Sequence, residues 1–329
     1  MSTSPDTFPP LVCPMDGVAL ASDAAALTCA AGHRYDVRDS IPRLLDPASN
    51  YAEAFGEQWK HYRETQLDSF TKTDLTRDRL RRCLGDELWA RLNDPAQRLQ
   101  VLEAGCGAGR FTEVLLKLAG TAVTSTDLSS AVEPNQRNCP QDARHRIIQC
   151  DLNRFPFAKA QYDVVVCLGV VQHTQSSEGT IAKLYEQVKP GGWLVIDHYP
   201  RNLAHYTRLG ELALRPFLKR MKPGKAISVT HALTKLFFPL HKAVRHVRPA
   251  QMLLSRISPV LTYFQALPEL DDRQQYEWAE LDTHDSLTDW YKHVRTPGEI
   301  RRALNALGAS DVWVALGGNG VEGRCRKPI

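Results

Sequence analysis

Residues 101–112 read VLEAGCGAGRFT, an apolar run, three glycines at every second position and then the start of a helical pattern, FTEVLLKLA. Glycine lets a ligand approach the backbone closely, and the N–H groups at a helix start favour an anionic group. A strand, a glycine-rich turn and a helix in this order indicate a ligand-binding turn that suits an anionic group. Dinucleotide enzymes use a similar turn, but their pattern places a glycine at position 110, where this chain has Arg110.

The surrounding sequence predicts the type of fold. From Gln100 to His198, short β-rich runs alternate with helical patterns, and the runs are LQVLEAG, TAVTSTD, HRIIQCD, YDVVVCLG and GGWLVIDHY. Strands that alternate with helices predict an α/β fold with a doubly wound parallel sheet. Further on, a capping box from Thr296 to Glu299 predicts another helix, and DVWVAL, GGNG and VEGRCRK predict a final hairpin.

Acidic residues lie at the ends of the first three predicted strands, where such sheets bind ligands. Asp127 ends the second strand, 22 residues after Gly105, and suits ribose hydroxyls; Asp151 follows the third strand and suits an adenine amino group. Glu103 lies two residues before the first glycine, where a carboxylate disfavours a pyrophosphate but suits an ammonium group. Any one of these acids could instead cap a helix, but the ordered series favours a cofactor site.

This series, over about residues 51–197, resembles the class I S-adenosylmethionine-dependent methyltransferases, in the branch of the ubiquinone and menaquinone biosynthesis enzymes. The resemblance implies a seven-stranded methyltransferase sheet, whose antiparallel seventh strand the final hairpin would supply, and S-adenosylmethionine as the cofactor. It places the glycine loop under the methionine part, with Glu103 at the amino group, and Leu168 and Gly169 beside the sulfonium. The residues that it assigns to the cofactor are Glu103, Gly105, Cys106, Gly107, Gly109, Asp127, Leu128, Asp151, Leu152, Leu168 and Gly169.

Methyl transfer from a sulfonium is an in-line displacement, so alignment and desolvation supply much of the rate. A hydroxyl acceptor also needs a general base. His173 follows the fourth strand and fits best, because that strand end would lie beside the methyl donor; simple packing or capping is the alternative. The other candidates are His198 and Tyr199 after the fifth strand, and Asp282, His284 and Asp285 further along the chain.

The amino-terminal region contains the turns CPMD and CAAGH, followed by IPRLL. This pattern resembles the zinc-ribbon domain of methyltransferase activator proteins, also fused to some ribosomal RNA guanine methyltransferases, in which a CPxC and a CxxxH turn supply four zinc ligands. The corresponding residues are Cys13, Asp16, Cys29 and His33, with Asp16 in place of a cysteine. Structural zinc sites are more often built from Cys and His. Two interpretations therefore remain: these four residues bind structural zinc, or the ribbon fold persists without metal.

The composition indicates a globular protein of 329 residues, 43% hydrophobic and 24% charged. No apolar run is long enough for a transmembrane helix. The first ten residues lack a basic start and an apolar core, so we expect no secretory signal and a cytoplasmic location. The eight cysteines are scattered along the chain, which favours reduced thiols over a disulfide framework.

We predict five regions along the chain: a zinc-ribbon-like domain (1–48), a helical segment (51–98), the S-adenosylmethionine-binding core (99–199), a basic helical insertion (200–280) and a C-terminal helix and hairpin (281–329). In the helical segment, residues at helical spacing predict one face of a helix; these are Phe55, Trp59, Tyr62 and Gln66.

The insertion is strongly basic, since residues 200–268 contain 12 Lys or Arg but a single acid, Glu211. A helical lid over the substrate pocket is one explanation. An anionic membrane surface, to which the protein would be peripheral, is a second, and nucleic acid is a third.

These features predict a methyltransferase acting on an oxygen, less readily a nitrogen, of a small molecule such as a saccharide or lipid-linked precursor. The stretch after the fourth strand is CLGV, not the NPPY-type motif of base-amino methyltransferases, and the Pro-Cys nucleophile of cytosine-ring enzymes is missing. A ribosomal or transfer RNA methyltransferase, and a non-catalytic S-adenosylmethionine-binding partner protein, are the alternatives. A nicotinamide oxidoreductase is disfavoured by Arg110 and Glu103.

Overall fold

The computed structural model describes residues 8–23, 25–45 and 53–329. The chain divides into two compact units. The first comprises Met1–Asn50, Leu75–Pro200 and Tyr291–Ile329, and the second comprises Tyr51–Asp74 and Arg201–Trp290. The units differ from the predicted regions in two respects: the helical segment 51–98 is divided after residue 74, and the second unit extends to residue 290.

One sheet organises the first unit. Its strands are β1 (Ala21–Ser22), β2 (Ala26–Thr28), β3 (Arg34–Arg38), β4 (Ile41–Leu44), β5 (Leu99–Ala104), β6 (Thr121–Asp127), β7 (His145–Cys150), β8 (Tyr162–Cys167), β9 (Val188–His198), β10 (Ser310–Gly317) and β11 (Gly320–Arg326). They lie in the order β1-β2-β3-β4-β7-β6-β5-β8-β9-β11-β10. From β7 to β9 neighbouring strands are parallel, whereas β11 runs antiparallel to both β9 and β10. The prediction of a doubly wound methyltransferase sheet with a final hairpin is confirmed: β5 to β11 are its seven strands, and β1 to β4 extend the same sheet to eleven.

The helices are α1 (Glu53–His61), α2 (Asp68–Thr71), α3 (Leu75–Leu84), α4 (Asp86–Asn93), α5 (Arg110–Lys117), α6 (Val132–Asn138), α7 (Ser177–Gln187), α8 (Leu203–Thr207), α9 (Leu209–Leu218), α10 (Pro223–Val244), α11 (Arg248–Ile257), α12 (Asp272–Thr288) and α13 (Pro297–Ala306), with a 3₁₀ turn at Val171–His173. In the first unit, apolar residues of α3, α4 and α5 pack on one face of the sheet. Those of α7 and α13 pack on the other face. The central strands are therefore buried on both faces, which explains their continuous apolar runs.

The ribbon-like region continues the sheet of the core. Strands β1 to β4 pair antiparallel in sequence, and β4 then pairs parallel with β7 through Arg43 with Gln149 and Leu44 with Cys150. The Arg43 guanidinium lies 2.9 Å from Glu133 and 3.0 Å from the Gln149 side-chain oxygen. Since Cys13 also packs into the core cluster of the sheet, this region belongs to the first unit.

The second unit is helical and contains α1, α2 and α8 to α12. Its apolar cluster is built on Phe238, Val260 and Ala279. The predicted helix face was wrong beyond His61, where α1 ends, because the chain turns between residues 62 and 67 before α2 begins. No helix in the described part of the chain is both long and apolar enough to cross a membrane.

Candidate functional site

The glycine loop between β5 and α5 is a tight turn against two neighbouring strand ends. The N–H groups of Gly105 and Cys106 donate to the Thr126 carbonyl oxygen at 2.7 and 2.9 Å. Gly105 has φ +80°, and a Cβ there would lie 2.3 Å from a methyl carbon of Val170, just after β8. Only glycine fits such a position. The loop therefore lies directly against the chain that leaves β8.

Asp127 holds this loop onto the end of β6. Its Oδ2 accepts the N–H of Gly107 at 2.9 Å, and its Oδ1 accepts the N–H and hydroxyl of Ser129 at 2.8 and 2.7 Å. Burial raises the pKa of this carboxyl above its usual value. The structure thus brings Asp127 and the glycine loop together.

Glu103 lies beneath the loop, with 3% of its surface exposed. Its Oε2 accepts hydrogen bonds from the hydroxyls of Thr112 at 2.5 Å and Ser125 at 2.9 Å. Its Oε1 is buried and has no hydrogen-bond partner among the described residues. Burial raises the pKa of this carboxyl to about 7. A buried carboxylate oxygen without a donor is costly, so the site suits a ligand that brings a hydrogen-bond donor, as an ammonium group does.

The other residues predicted to bind cofactor lie at the same edge of the sheet, although several are largely buried. Asp151 accepts the backbone and side-chain N–H groups of Asn153 at 2.8 and 3.0 Å. Leu152 and Leu168 pack into the apolar clusters on opposite faces of the sheet. Leu128 is also buried. Gly169, with φ +79°, follows β8 and is fixed by a hydrogen bond from its N–H.

The acceptor of that hydrogen bond, Asp197, forms a buried ion pair that could not be predicted from the sequence. The N–H of Gly169 donates to Asp197 Oδ1 at 2.6 Å, and the other carboxylate oxygen pairs with Arg79 of α3. The Arg79 guanidinium also lies 5.3 Å from the centre of the Phe111 ring. An acid within the apolar run GGWLVIDHY was a sign of a buried partner, because an unpaired buried charge is very costly.

His173 lies in the 3₁₀ turn three residues after Val170 and is buried. Its Nδ1 lies 3.3 Å from the Tyr291 carbonyl oxygen, and its ring meets the Tyr199 ring edge-on at 5.3 Å. The carbonyl contact favours the tautomer with the proton on Nδ1 and the lone pair on Nε2. A general base requires such a lone pair.

His198 is less suited to be a base than the sequence suggested. Its Nδ1 lies 3.1 Å from the Tyr199 carbonyl oxygen and its Nε2 lies 2.9 Å from the Ser177 hydroxyl, so both ring nitrogens are engaged within the protein. Burial lowers its pKa to about 4. These contacts are those of a histidine that holds strand β9 to α7.

The remaining predicted bases lie on α12, in the second unit, whereas the glycine loop lies in the first. The Asp282 Oδ1 accepts from the Gln66 side chain at 3.3 Å. His284 is fully buried with its Nδ1 3.0 Å from the Thr230 hydroxyl, and burial lowers its pKa to about 4. Asp285 is half-buried on the same helix.

Residues 291–295 also contact the edge that carries His173, and the sequence analysis did not assign them. The N–H of His293 donates to the Gln172 carbonyl oxygen at 2.9 Å, and that of Arg295 donates to the Tyr199 carbonyl at 2.9 Å. The aromatic and basic run YKHVR was the sequence feature that could have indicated them.

The four predicted metal ligands converge in the ribbon-like region. Their ligand atoms all lie within 4.8 Å of one another. The His33 Nδ1 lies 3.5 Å from Cys13 Sγ, 3.3 Å from Cys29 Sγ and 3.1 Å from Asp16 Oδ2. Zinc–ligand bonds of about 2.0–2.3 Å in a tetrahedron require separations of about 3.3–3.8 Å between ligands. The donor atoms suit zinc; two of the three His33 contacts, at 3.3 and 3.5 Å, lie within that range, and the third, at 3.1 Å, lies just below it.

The part of the chain that contains this site is similar to known proteins. Residues 102–196 match the family described as a methyltransferase domain. The malonyl-[acyl-carrier protein] O-methyltransferase of Enterobacter lignolyticus is 34% identical over 216 residues, which are 55% of this chain and 79% of that protein. The ubiquinone biosynthesis O-methyltransferase of Leptothrix cholodnii is 24% identical over 47% of this chain and 60% of that protein. The solved structure of human N-acetylserotonin methyltransferase with S-adenosylmethionine is 12% identical, with a TM-score of 0.43, over 85% of this chain and 61% of that one.

The matched segment contains the five parallel strands, the glycine loop and the acids at the strand ends. The similarity to the Enterobacter enzyme, at 34% identity, extends over 79% of that protein. The chain belongs to the S-adenosylmethionine-dependent methyltransferases.

Proposed function

We propose that the chain transfers the methyl group of S-adenosylmethionine to an oxygen atom, less readily a nitrogen, of a small molecule. Both curated relatives are named O-methyltransferases. The observation that carries the proposal is the position of His173, three residues after the Val170 side chain that packs on the glycine loop. A base at this point suits a hydroxyl or carboxyl acceptor, which must lose or lack its proton before it attacks a methyl group.

S-adenosylmethionine supplies a methyl group on a sulfonium, so the protein needs chiefly to bind, align and desolvate the reactants. In our proposal the loop from Gly105 to Gly109, with Cys106 and Gly107, lies under the methionine part. Glu103 accepts a hydrogen bond from the ammonium group through Oε1, the buried atom that has no partner among the described residues. Asp127 binds the ribose hydroxyls. The adenine and the floor beside the sulfonium are assigned to Leu128, Asp151, Leu152, Leu168 and Gly169.

We propose His173 as the general base, which takes the acceptor proton at Nε2 while Nδ1 faces the Tyr291 carbonyl. His173→Ala should abolish turnover and leave cofactor affinity near normal. His246→Ala, on an exposed residue of the second unit, is the matched control. If both turnover and cofactor affinity fell equally, His173 would have a structural role instead. His198 and Asp285 are the secondary candidates, tested by His198→Asn and Asp285→Asn.

The acceptor class can be separated by the chemistry of the product. A carboxyl acceptor gives a methyl ester, which releases methanol in mild alkali, whereas a phenol, a saccharide hydroxyl or a lipid-linked precursor gives an alkali-stable ether. We propose to assay methyl-labelled S-adenosylmethionine with a malonyl thioester and with a catechol, since the relatives are named for malonyl-[acyl-carrier protein] and for ubiquinone biosynthesis. If neither compound is methylated but ribosomal or transfer RNA is, the second candidate function, an RNA methyltransferase, is favoured. The basic residues 200–268 and the ribbon-like region support that candidate. Cofactor binding without any transfer would favour a non-catalytic partner protein.

We also propose that Cys13, Asp16, Cys29 and His33 hold one structural zinc ion. The turns that carry them are closed by backbone hydrogen bonds from Gly17 to Cys13 and from Gly32 to Cys29, at 2.8 and 2.9 Å. Elemental analysis should find about one zinc per chain, and Cys29→Ser should lose it. Cys139→Ser, at a buried thiol of the core, should retain it. Asp16→Cys should slow the loss of zinc to a chelator, because it completes a three-cysteine, one-histidine site.

Finally, we propose that the protein is cytoplasmic and that residues 200–268 meet an anionic membrane surface, ahead of nucleic acid. The 12 basic residues against one acid in this segment support an anionic partner. A protein held at a membrane surface would have access to methyl acceptors that are partly apolar and lie in the membrane.

A further inference from the structure

Large apolar side chains that remain exposed are concentrated in one part of the second unit. Of the 17 exposed large hydrophobic residues in the described chain, 12 lie between residues 203 and 257. They are Leu203, Tyr206, Leu209, Leu212, Phe217, Met221, Leu236, Leu240, Val247, Met252, Leu253 and Ile257. Scattered single apolar residues are normal on a protein surface, but such a concentration marks an interaction site.

Helices α10 and α11 show the pattern most clearly. In α11 no side chain is buried, and Met252 and Leu253 are each 63% exposed. On α10, Leu236 and Leu240 are four residues apart on one helix face and are also exposed. A water-facing helix that keeps its apolar side chains uncovered needs a partner that will cover them.

The charge around these residues is positive: Lys242 and Arg245 pair with Asp272 of α12, but other described basic side chains have no such pairing. Lys222, Lys225, Lys235 and Arg248 are exposed, and no described carboxylate lies within ion-pair distance of them. The single acid of the segment, Glu211, is buried 3.5 Å from the Arg208 guanidinium, so its charge is already matched. The partner of this surface must therefore be both apolar and anionic.

We propose that α10 and α11 form a docking surface for an anionic lipid bilayer. The basic side chains would lie among the headgroups, and Leu236, Leu240, Met252 and Leu253 would enter the acyl boundary, as in interfacial helices. A fluid bilayer accepts apolar side chains from several helices without a complementary surface, which a folded acidic partner would need. This inference deepens the proposed function, on which it rests, by naming the helices that bring the enzyme to partly apolar acceptors.

Vesicle sedimentation of the full chain tests the proposal. The protein should bind vesicles of phosphatidylcholine with phosphatidylglycerol and should dissociate from them as the salt concentration rises. It should not bind vesicles of pure phosphatidylcholine. Each basic residue near an anionic surface raises partitioning about fivefold, so Lys235→Gln with Arg248→Gln should lower it about 25-fold. Met252→Ser with Leu253→Ser should lower it at least about tenfold. The matched controls, Arg302→Gln on α13 and Leu316→Ser on β10, should bind as the parent protein does.

The proposal is overturned if the protein binds neither kind of vesicle, if it binds both equally, or if the α10 and α11 variants bind like their controls. Binding to a purified acidic acyl-carrier protein that these variants abolish, without vesicle binding, would also overturn it in favour of a protein partner. Methyl transfer to a water-soluble acceptor is measured in the same variants. Transfer without docking refutes the docking surface alone, and docking without transfer refutes the proposed function alone.

Discussion

Glu103 should make cofactor binding depend on pH near neutrality. The pKa of its buried carboxyl is raised to about 7 by burial, so at about pH 6 roughly nine in ten molecules of the free protein carry the proton there. The ammonium group of S-adenosylmethionine needs the carboxylate. If binding requires the ionised form, the affinity should rise about eightfold between about pH 6 and pH 7.5, and binding at the lower pH should release about one proton.

Calorimetry in buffers of different ionisation enthalpy measures both quantities. Glu103→Gln keeps acceptors for the Thr112 and Ser125 hydroxyls but carries no charge, so its affinity should be weaker at pH 7.5 and flat with pH. Glu87→Gln, at an exposed residue of α4, should retain the slope of the parent protein. A slope that survives in Glu103→Gln would refute the assignment of this carboxyl to the ammonium group.

The same raised pKa has a consequence for stability, and its sign can be worked out. A carboxyl whose pKa is higher in the folded protein than its usual 4.5 stabilises the fold only while it is protonated. That stabilisation is complete below about pH 4.5 and is lost as pH rises through about 7, at a cost of about 3 kcal/mol. Glu103→Gln should therefore unfold at higher denaturant than the parent protein at pH 8, and the difference should shrink as pH falls.

Three further predictions concern the same site. Gly105→Ala should abolish cofactor binding and lower the melting temperature, because its Cβ would lie 2.3 Å from a Val170 methyl carbon, whereas Gly224→Ala, which meets open space, should do neither. Arg79→Met should lower the unfolding free energy by about 3–5 kcal/mol, because it leaves the buried Asp197 carboxylate unpaired. Adding Asp197→Asn to Arg79→Met should restore most of this loss, and a denaturant titration in which it did not would contradict the prediction. Asp127→Ala should weaken S-adenosylmethionine at least about tenfold, since hydrogen bonds to a charged group are among the stronger ones; unchanged binding in calorimetry would remove Asp127 from the ribose site.

The elements that local patterns determine were predictable. The glycine loop, the five parallel strands and the capping box at Thr296 are each encoded within about a dozen residues. The resemblance of CPMD and CAAGH to a zinc ribbon pointed to Cys13, Asp16, Cys29 and His33, and the structure brings these four side chains together. Periodicity failed where α1 ends at His61, since Tyr62 is half-buried and Gln66 is buried in the turn that follows rather than along a helix face.

What the sequence could not show are contacts between distant segments. The parallel pairing of β4 with β7 rests on two residue pairs, and no local pattern distinguishes β4 from an isolated ribbon strand. Asp197 was visible as an acid within an apolar strand, but nothing in its neighbourhood identified Arg79, 118 residues earlier, as its partner. The structure supplies that partner, and with it the reason that Gly169 is fixed beside the glycine loop.

The most direct test of methyl transfer to a small molecule uses methyl-labelled S-adenosylmethionine, the purified chain and a cell extract separated after reaction into RNA, organic-soluble and small polar fractions. The proposed function predicts label in the organic-soluble or small polar fraction, and none when His173→Ala replaces the parent chain. Label in a nuclease-sensitive fraction, or no label while cofactor binding is intact, would contradict it.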